Sequence, residues 1–561
     1  MIAKITLCFV LSIFFISNNA KSQNFEWGFG TGSPEFDQRT SAVVNEEGDI
    51  ISVGYFYGTV DFDPMETGLT ASSNGGPDVF IEKRAANGDL IWLKTFGGTS
   101  WDVPNSVVVD SEGNITVYGR FSGVTDFDPS DSDFEMDSGD MGSIYLVQFN
   151  SDGEFNWAKS LMGNSTLQSG ETMTVNTDNE IIITGGFKET IDFDPSDEDA
   201  IVTVGDSFAE LFIAKYSASG EFIWVEVIEG SGFKFGFEVA VNNDGDIYTV
   251  GSYTNTIDLN PSAETDIHIN TSGAGNGFIV ALSESGEFIW GADLSSDSYS
   301  TISALKIEDD YIAIAGTFAG TADFDFGEGV ENRNSSEGYN TFIQKLNTDG
   351  ELMWVNSYET DSYLGNIVGL VINSFNEIIV AGKFYDEMDF DHSADTEIRT
   401  SSGLADGFIH QVSATGEFQR VYIISGEMDQ EPTGITISNA NELYTYGVYQ
   451  NEIIFEPDGV ATSTFGSYDF FLMKLGGFVS IDSFEQQTGL HIYPNPANEG
   501  LIVSKAISQS VEILNLVGET VTFITAGQTI EYIDISSLSA GTYFVKVSDG
   551  TKIVTKKLIV T

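Results

Sequence analysis

Cysteine is all but missing from this 561-residue chain, whose one copy is Cys8. A chain so poor in thiols has no disulfide framework and no Cys-based metal site. Basic residues are scarce too: Lys plus Arg number 23 against 85 for Asp plus Glu, a net charge of -62. With no basic patch to offset it, that charge repels nucleic acid and anionic bilayers. The apolar run at the N-terminus, Ile5 to Ile16, is too short to span a membrane. Proline numbers 11.

The chain does have the material of a core. Hydrophobic residues make up 41% and aromatics 12%, which excludes general disorder. Glycine is abundant (59), and Phe, Tyr and Trp together number 70, the profile of a large, soluble, turn-rich β protein.

Each end carries an address. Lys4, the apolar run and the small residues Ala20 and Ser22 describe a secretory signal peptide over residues 1–22. Cleavage is expected between Ser22 and Gln23, with cleavage after Ala20 as the alternative, and removes Cys8. Losing Lys4 and Lys21 leaves 21 basic and 85 acidic residues, a net charge of -64. Residues 476–561 carry five Lys and eight acids, so nearly all the acidity lies upstream. Residues 476–489 read as a linker. From 490 to 561 come Tyr493-Pro494-Asn495-Pro496, short alternating runs, then a segment through Gly541 and Tyr543 and a closing Lys556-Lys557-Leu558-Ile559-Val560. Period-two segments split by Gly-bearing turns predict a small Ig-like β-sandwich. These residues closely resemble the type A sorting domain of the type IX secretion system of Bacteroidetes. The resemblance implies that the secretion machinery and a sortase-like protease are partners, and that the chain ends at the cell surface or is released.

Between these ends lie repeats. Trp27, Trp92, Trp157, Trp224, Trp290 and Trp354 recur every 64 to 67 residues, and Arg420 falls in a seventh slot. Gly54, Gly119, Gly185, Gly251, Gly316, Gly382 and Gly447 are each followed two residues later by Phe or Tyr. Each unit divides into four β segments with Gly-bearing turns, in the second copy Ser106–Asp110, Asn114–Phe121, Ile144–Asn150 and Phe155–Ser160. Seven units over residues 24–475, about 65 residues each, predict an all-β fold, a seven-bladed β-propeller. The array opens with an orphan fourth strand, Phe25–Phe29, and ends on a third strand, Asp469–Leu475, so the N-terminal strand is expected to complete the last blade. The pattern resembles a bacterial β-propeller repeat family, for example in Trp92…Phe96-Gly97-Gly98…Val109-Asp110-Ser111-Glu112-Gly113-Asn114-Ile115. That resemblance implies the fold and no shared catalytic activity.

Seven residues after each repeat glycine stands an Asp-Phe-Asp-Pro motif or a variant of it. Its polar pairs are Asp61 and Asp63, Asp126 and Asp128, Asp192 and Asp194, Asp258 and Asn260, Asp323 and Asp325, and Asp389 and Asp391. Period two places each pair on one side of the chain and the central Phe on the other. A third acid follows at Glu66, Asp131, Asp197, Glu264, Glu328 or Asp395. Two or three carboxylates in a short loop suit Ca²⁺, while Asp before Pro also starts turns through its own hydrogen bonds. The last copy breaks the pattern with Ile454 and Glu456. Nine residues after the repeat Trp position sit Phe36, Trp101, Phe233, Tyr299 and Tyr363, with Thr166 and Asp429 breaking the series. Such rings either meet a ligand or cover the gaps between blades.

No nucleophile elbow and no metal-spaced histidine pair occurs, and the segments Ala42-Val43-Val44, Val107-Val108-Val109, Val239-Ala240-Val241 and Gly369-Leu370-Val371 show no polar break. The expectation is a secreted, non-catalytic binding scaffold for an unknown glycan or protein. A carbohydrate-active propeller enzyme and a calcium-stabilised adhesin are the alternatives.

Overall fold

A computed structural model describes residues 25–560 except 65–67, 131, 140–141, 164–171, 197–198, 206–207, 263–264, 271, 309, 336–337, 361–364, 394, 456–459, 464–466, 477–490, 494–496, 498–499, 505–509, 516–519, 525–529, 537, 540 and 549–552. The signal segment and the linker therefore lie outside the described residues. Every regular element among the described residues is a strand, and no helix there is long and apolar enough to cross a membrane. Contacts divide the chain into two units, with the boundary after Gly477.

The first unit contains seven antiparallel sheets of four repeat strands. Blade 1 is built from Gln38–Val44, Ile50–Phe56, Asp78–Arg84 and Leu90–Phe96, innermost strand first. Blade 2 repeats this with Asp102–Val109, Ile115–Phe121, Ser143–Phe149 and Phe155–Leu161. Blades 3 to 6 follow from innermost strands Thr172–Val175, Lys234–Val241, Tyr299–Glu308 and Asn366–Ile372. Blade 7 has Gln430–Ile437, Leu443–Tyr449 and Asp469–Leu475, and Phe25–Thr31 pairs antiparallel with the last of these as its fourth strand. Neighbouring innermost strands lie side by side all the way round, and Gln430–Ile437 returns against Gln38–Val44. The ring is closed, which leaves no long unpaired edge on either terminal blade.

The repeat motifs now have physical reasons. In six blades the innermost strand carries a β-bulge at one equivalent position, between Arg39 and Ser41 in blade 1 and between Pro432 and Gly434 in blade 7. The bulge pushes a carbonyl across the neighbouring strand. A side chain at Gly54 would collide with Gln38 O, and one at Gly447 with Glu431 O. This close approach is why the repeat glycine recurs. The central Phe of the acidic motif turns inward: Phe62, Phe127, Phe193, Phe324 and Phe390 are fully buried, as is Leu259. Phe62 packs edge-on to Phe56, with ring centroids 5.2 Å apart, and reaches Phe470 of blade 7. The extra length of each repeat is a small hairpin flanking this motif, such as Thr59–Asp61 paired with Thr70–Ser72.

Each repeat Trp sits on an outermost strand and reaches into the next blade. Trp27 donates its indole N–H to Ala86 O (3.1 Å), Trp224 to Glu284 O (3.3 Å), Trp290 to Thr348 O (3.0 Å) and Trp354 to Ala414 O (3.2 Å). The ring face lies on the turn glycine of that hairpin, Gly88 for Trp27 and Gly350 for Trp290. Trp157 uses a relay: it donates to Gln148, whose amide donates to Ala218 O of blade 3.

The junction of blades 7 and 1 breaks the repeat. Arg39, Glu82 and Arg84 are buried there as an ion-paired cluster, and Arg39 also donates to Ser52. The Arg39 guanidinium lies over Phe470 (4.9 Å) and that of Arg84 over Phe29 (4.4 Å), both rings belonging to blade 7. Positions equivalent to Glu82 carry Val147, Ala214, Val280, Gln344, His410 and Met473, and those equivalent to Arg84 carry Phe149, Tyr216, Leu282, Leu346, Val412 and Leu475. The two guanidinium groups hold the Glu82 carboxyl down at about 2 although burial pushes it up.

The second unit forms two sheets, His491–Tyr493, Gly500–Ser504 and Ile530–Asp534 in one, and Thr520–Ile524, Ser510–Leu514, Gly541–Ser548 and Ile553–Val560 in the other. Val511, Ile513, Ile533, Val545 and Leu558 from both sheets share one core, so this unit is a β-sandwich. Tyr493 pairs with Ile502, while Pro494, Asn495 and Pro496 lie outside the described residues. Gly541 opens a strand, the Tyr543 hydroxyl donates to Ser539 O (3.0 Å), and Lys556 and Lys557 sit opposite Val545 and Phe544.

Two tests of closure follow. Deleting residues 23–31 strips the outer strand from blade 7, and enclosing Trp27 is by itself worth roughly 1.5–3 kcal/mol. The truncated chain should melt well below the intact one, and an unchanged melting temperature would contradict closure by this strand. Glu82→Val, which strands two buried guanidinium groups, should cost about 3–5 kcal/mol in chemical denaturation. Combining it with Arg39→Ile and Arg84→Leu, the side chains of other blades, should restore stability to the parent value or above.

Candidate functional site

The chain direction puts the start of every innermost strand and all the acidic hairpins on one face of the ring. The motif aspartates shape these hairpins. Asp61 Oδ1 accepts from Asp63 N (3.0 Å) and Asp126 Oδ1 from Asp128 N (3.1 Å). Asp192, Asp258, Asp323 and Asp389 do the same with Asp194, Asn260, Asp325 and Asp391. In five copies the same oxygen also takes the backbone N–H eight residues on, as from Phe134 to Asp126 (2.9 Å) and Glu397 to Asp389 (2.8 Å). The second member then starts a further turn, Asp128 with Ser130 and Asp391 with Ser393. One carboxylate oxygen of each first Asp is thus spent on the loop backbone. Among the described residues these pairs join no group of three or more carboxylates close enough to share an ion. The group that does is Asp178, Glu180 and Glu284 on the opposite face, where Lys215 already binds Glu180 (2.6 Å). Glu328 and Asp395 are exposed, and the remaining third acids lie outside the described residues, apart from their sequence positions.

The aromatic series stands at blade junctions and keeps part of each ring open. Phe36 is 37% exposed and tilts against Tyr468 of blade 7 (5.4 Å), and Trp101 is 38% exposed with the Arg120 guanidinium above it. Phe233 meets Phe208 edge-on (5.2 Å), and Tyr299 meets Tyr339 edge-on (5.2 Å). Tyr363 lies outside the described residues. These rings cover the junctions and still offer surface to solvent.

Beneath the rim runs a belt of buried polar residues that sequence reading missed, because its members differ in type from blade to blade. Asp78, Ser143, Glu210, Asn276, Asn340 and Asp469 open the third strands, and Asp406 holds the equivalent register inside Ile398–Val412, all buried. Against them come Asp37, Asp102, Lys234, Ser300 and Gln430 at the starts of innermost strands. They anchor the loops: Asp78 accepts from Asn74 N (3.1 Å), Asp102 from Gly98 N (2.7 Å) and Thr125 Oγ1 (2.7 Å), and Glu210 pairs with Lys234 (3.0 Å). Burial, reinforced by nearby Asp102, pushes the Asp78 carboxyl up to about 7. Burial also pushes Glu210 up to about 7 against the pull of Lys234, and raises Asp37 and Asp102. On blade 4, His268 Nδ1 lies 2.7 Å from Asp293 Oδ1, which with Asp266 raises the imidazole against burial.

At the centre is a channel of about 450 Å³ lined by all seven innermost strands. The bulged residues Thr40, Asn105, Phe237, Ser303, Val368 and Thr433 line it. Beside the apolar segment Val239-Ala240-Val241 the channel carries a polar break, in which Glu238, Lys306 and Glu308 line it. Glu238 stands where other blades have Ser41, Ser106, Ala304 or Gly434, and it binds Lys306 (2.9 Å) and Leu305 N (3.0 Å) of blade 5. At the loop-face mouth, between blades 4, 5 and 6, a cavity of about 600 Å³ opens beside Phe237, Tyr299 and Tyr339.

The raised carboxyls fix a pH dependence. Asp78 and Glu210 each hold a proton more tightly folded than unfolded, so their contribution is fully present below about pH 4 and is lost as pH rises to and through about 7. His268 works in the same direction, from below its ordinary 6.5 upward. Melting temperature should fall between pH 5 and pH 8, and Asp78→Asn, which keeps the acceptor for Asn74, should flatten that slope. An identical slope in the variant would exclude Asp78 as a source.

Residues 491–561 match the secretion system C-terminal sorting domain, in agreement with the motifs of that segment. The domain directs export through the type IX system to the cell surface or the medium. The chain is 26% identical over 264 residues to the uncharacterized WD repeat-containing protein L264 of Acanthamoeba polyphaga mimivirus. That match takes in 41% of this chain and spans about a fifth (19%) of the viral protein. Among solved structures the chain is similar to the polysaccharide lyase Uly1 at TM-score 0.38 and 10% identity, over 82% of this chain and 94% of that one. It is also similar to a protein of unknown function from Dyadobacter fermentans at TM-score 0.34 and 10% identity, over 81% and 99%.

Proposed function

We propose that this chain, carried out of the cell by its C-terminal sorting domain, is a non-catalytic binding propeller that holds its ligand on the loop face. One observation carries the reading: a cavity of about 600 Å³ walled by Phe237, Tyr299 and Tyr339 opens on that face at the channel mouth. Concave sites of this size with aromatic walls and a few polar groups are the usual form of a binding site. The acidic hairpins around it, tied by their own turns, provide a firm and highly charged rim.

A carbohydrate-active enzyme remains the rival reading, since Glu238 faces the channel. Its two oxygens are engaged by Lys306 and the Leu305 N–H, which favours a positioned structural carboxylate over a poised general base. Incubating the secreted protein with neutral and acidic polysaccharides should release no reducing ends and no unsaturated products. Release that Glu238→Gln abolishes would establish the enzyme reading instead.

The export half has its own test. A chain truncated at residue 490 should fold, retain its closed ring and accumulate in the periplasm. Normal surface display of that truncation in a type IX host would overturn the dependence on the sorting domain.

A further inference from the structure

The cavity at the channel mouth has a composition that narrows its ligand. In a chain with 85 acidic residues, not one charged side chain lines it among the described residues. Phe237 of blade 4 forms one wall and is the inner end of a ladder. Phe233, Phe235 and Phe237 project from alternate positions, their rings 6.0 and 6.5 Å apart and within 6° and 10° of parallel. Tyr299 and Tyr339 of blade 5 form another wall, with ring centroids 5.2 Å apart. Burial raises the Tyr299 phenol, which keeps it a donor at any physiological pH.

The polar lining is neutral and has hydrogen-bonding capacity to spare. Thr317, 5% exposed, has a buried hydroxyl with no partner, and the side-chain carbonyl oxygen of Asn366 is likewise buried and unpaired. Buried groups of this kind are costly unless something satisfies them, and here both line a cavity. Aromatic walls match a ligand with flat apolar faces. Unspent hydroxyl and amide groups match a ligand with hydroxyls at its edges. The absence of any cation among the described lining residues, within a strongly negative molecule, disfavours carboxylated, sulfated or phosphorylated ligands. A lipid would leave Thr317 and Asn366 unsatisfied.

We propose that this cavity is a binding site for a neutral saccharide, whose pyranose faces stack between Phe237 and the Tyr299–Tyr339 pair while its hydroxyls bond Thr317 and Asn366. The proposal rests on the binding reading given above and names its ligand class. It also gives the Phe233–Phe235–Phe237 ladder a role, as a track on which further sugar units of a chain lie between the rim and the mouth.

The test uses the full secreted protein and titration calorimetry with neutral tetrasaccharides of glucose, mannose and xylose, against tetragalacturonate as the acidic control. At least one neutral sugar should bind saturably and tetragalacturonate should not. Thr317→Val removes one hydroxyl at nearly constant size and should weaken binding about tenfold, the equivalent of about 1.4 kcal/mol. Its melting temperature should not fall, because the hydroxyl it loses has no partner in the unliganded protein. Tyr339→Ala should abolish binding, and Tyr339→Phe should largely restore it. Binding of a sugar that neither Thr317→Val nor Tyr339→Ala alters would overturn this cavity as the site and leave the general binding reading standing. Absence of heat with every neutral sugar would overturn the ligand class, and a protein ligand lost on Phe36→Ala or Trp101→Ala would then move the site to the rim. Tight binding of tetragalacturonate would refute the charge argument.

Discussion

The indole of the repeat Trp, donated across the blade boundary onto the turn of the next blade, is the contact on which the ring depends. A single four-stranded blade has two apolar faces and cannot bury both by itself. Trp224, Trp290 and Trp354 each fix the next blade at the same place, by one hydrogen bond to a turn carbonyl and one ring face on a turn glycine. The glycine there has a positive φ, 85° at Gly286 and 84° at Gly350, so the turn bends back flat enough to receive the ring. The staple tolerates substitution where a relay replaces it, as Gln148 does between Trp157 and blade 3.

Closure imposes a second requirement, and it is met by departing from the repeat. Phe25–Thr31 comes from the opposite end of the chain, so blade 7 forms when residues more than 400 positions apart meet. At that junction the uncharged side chains found in the other blades give way to Arg39, Glu82 and Arg84, and the two guanidinium planes lie on Phe470 and Phe29. A buried ion cluster contributes less net stability than apolar packing, yet it rejects partners that lack the matching charge and ring. Among the described residues, the equivalent positions of the other blades lack that match. Charge at one junction therefore gives the ring a register.

The loop face follows from these constraints. Strand direction gathers the acidic hairpins, the aromatic series and the channel mouth on one side, and the buried polar belt holds their backbones. The same belt links the face to pH, since carboxyls such as Asp78 and Glu210 sit where burial outweighs hydrogen bonding. A site on this face is thus carried by a belt that is firmest while Asp78 and Glu210 hold their protons.

What the amino-acid order determined by itself is everything periodic. The Trp and Gly frames, the Gly-bearing turns and the orphan strands at the two ends were legible because each is repeated or is missing from a repeat. The motif at the C-terminus was legible because its residues are contiguous. What the tertiary structure decided is whatever depends on several blades at once. The motif aspartates could be read as ion ligands or as turn residues, and their first oxygens turn out to be bonded to the loop backbone, a matter of angle that spacing does not encode. The Arg39–Glu82 and Glu238–Lys306 pairs join residues 43 and 68 positions apart, each unremarkable in its own strand. The neutral cavity draws Phe237, Tyr299, Thr317 and Asn366 from three blades. No alternation or spacing connects those four, because it is the curvature of the closed ring, fixed by the staples, that brings them to one place.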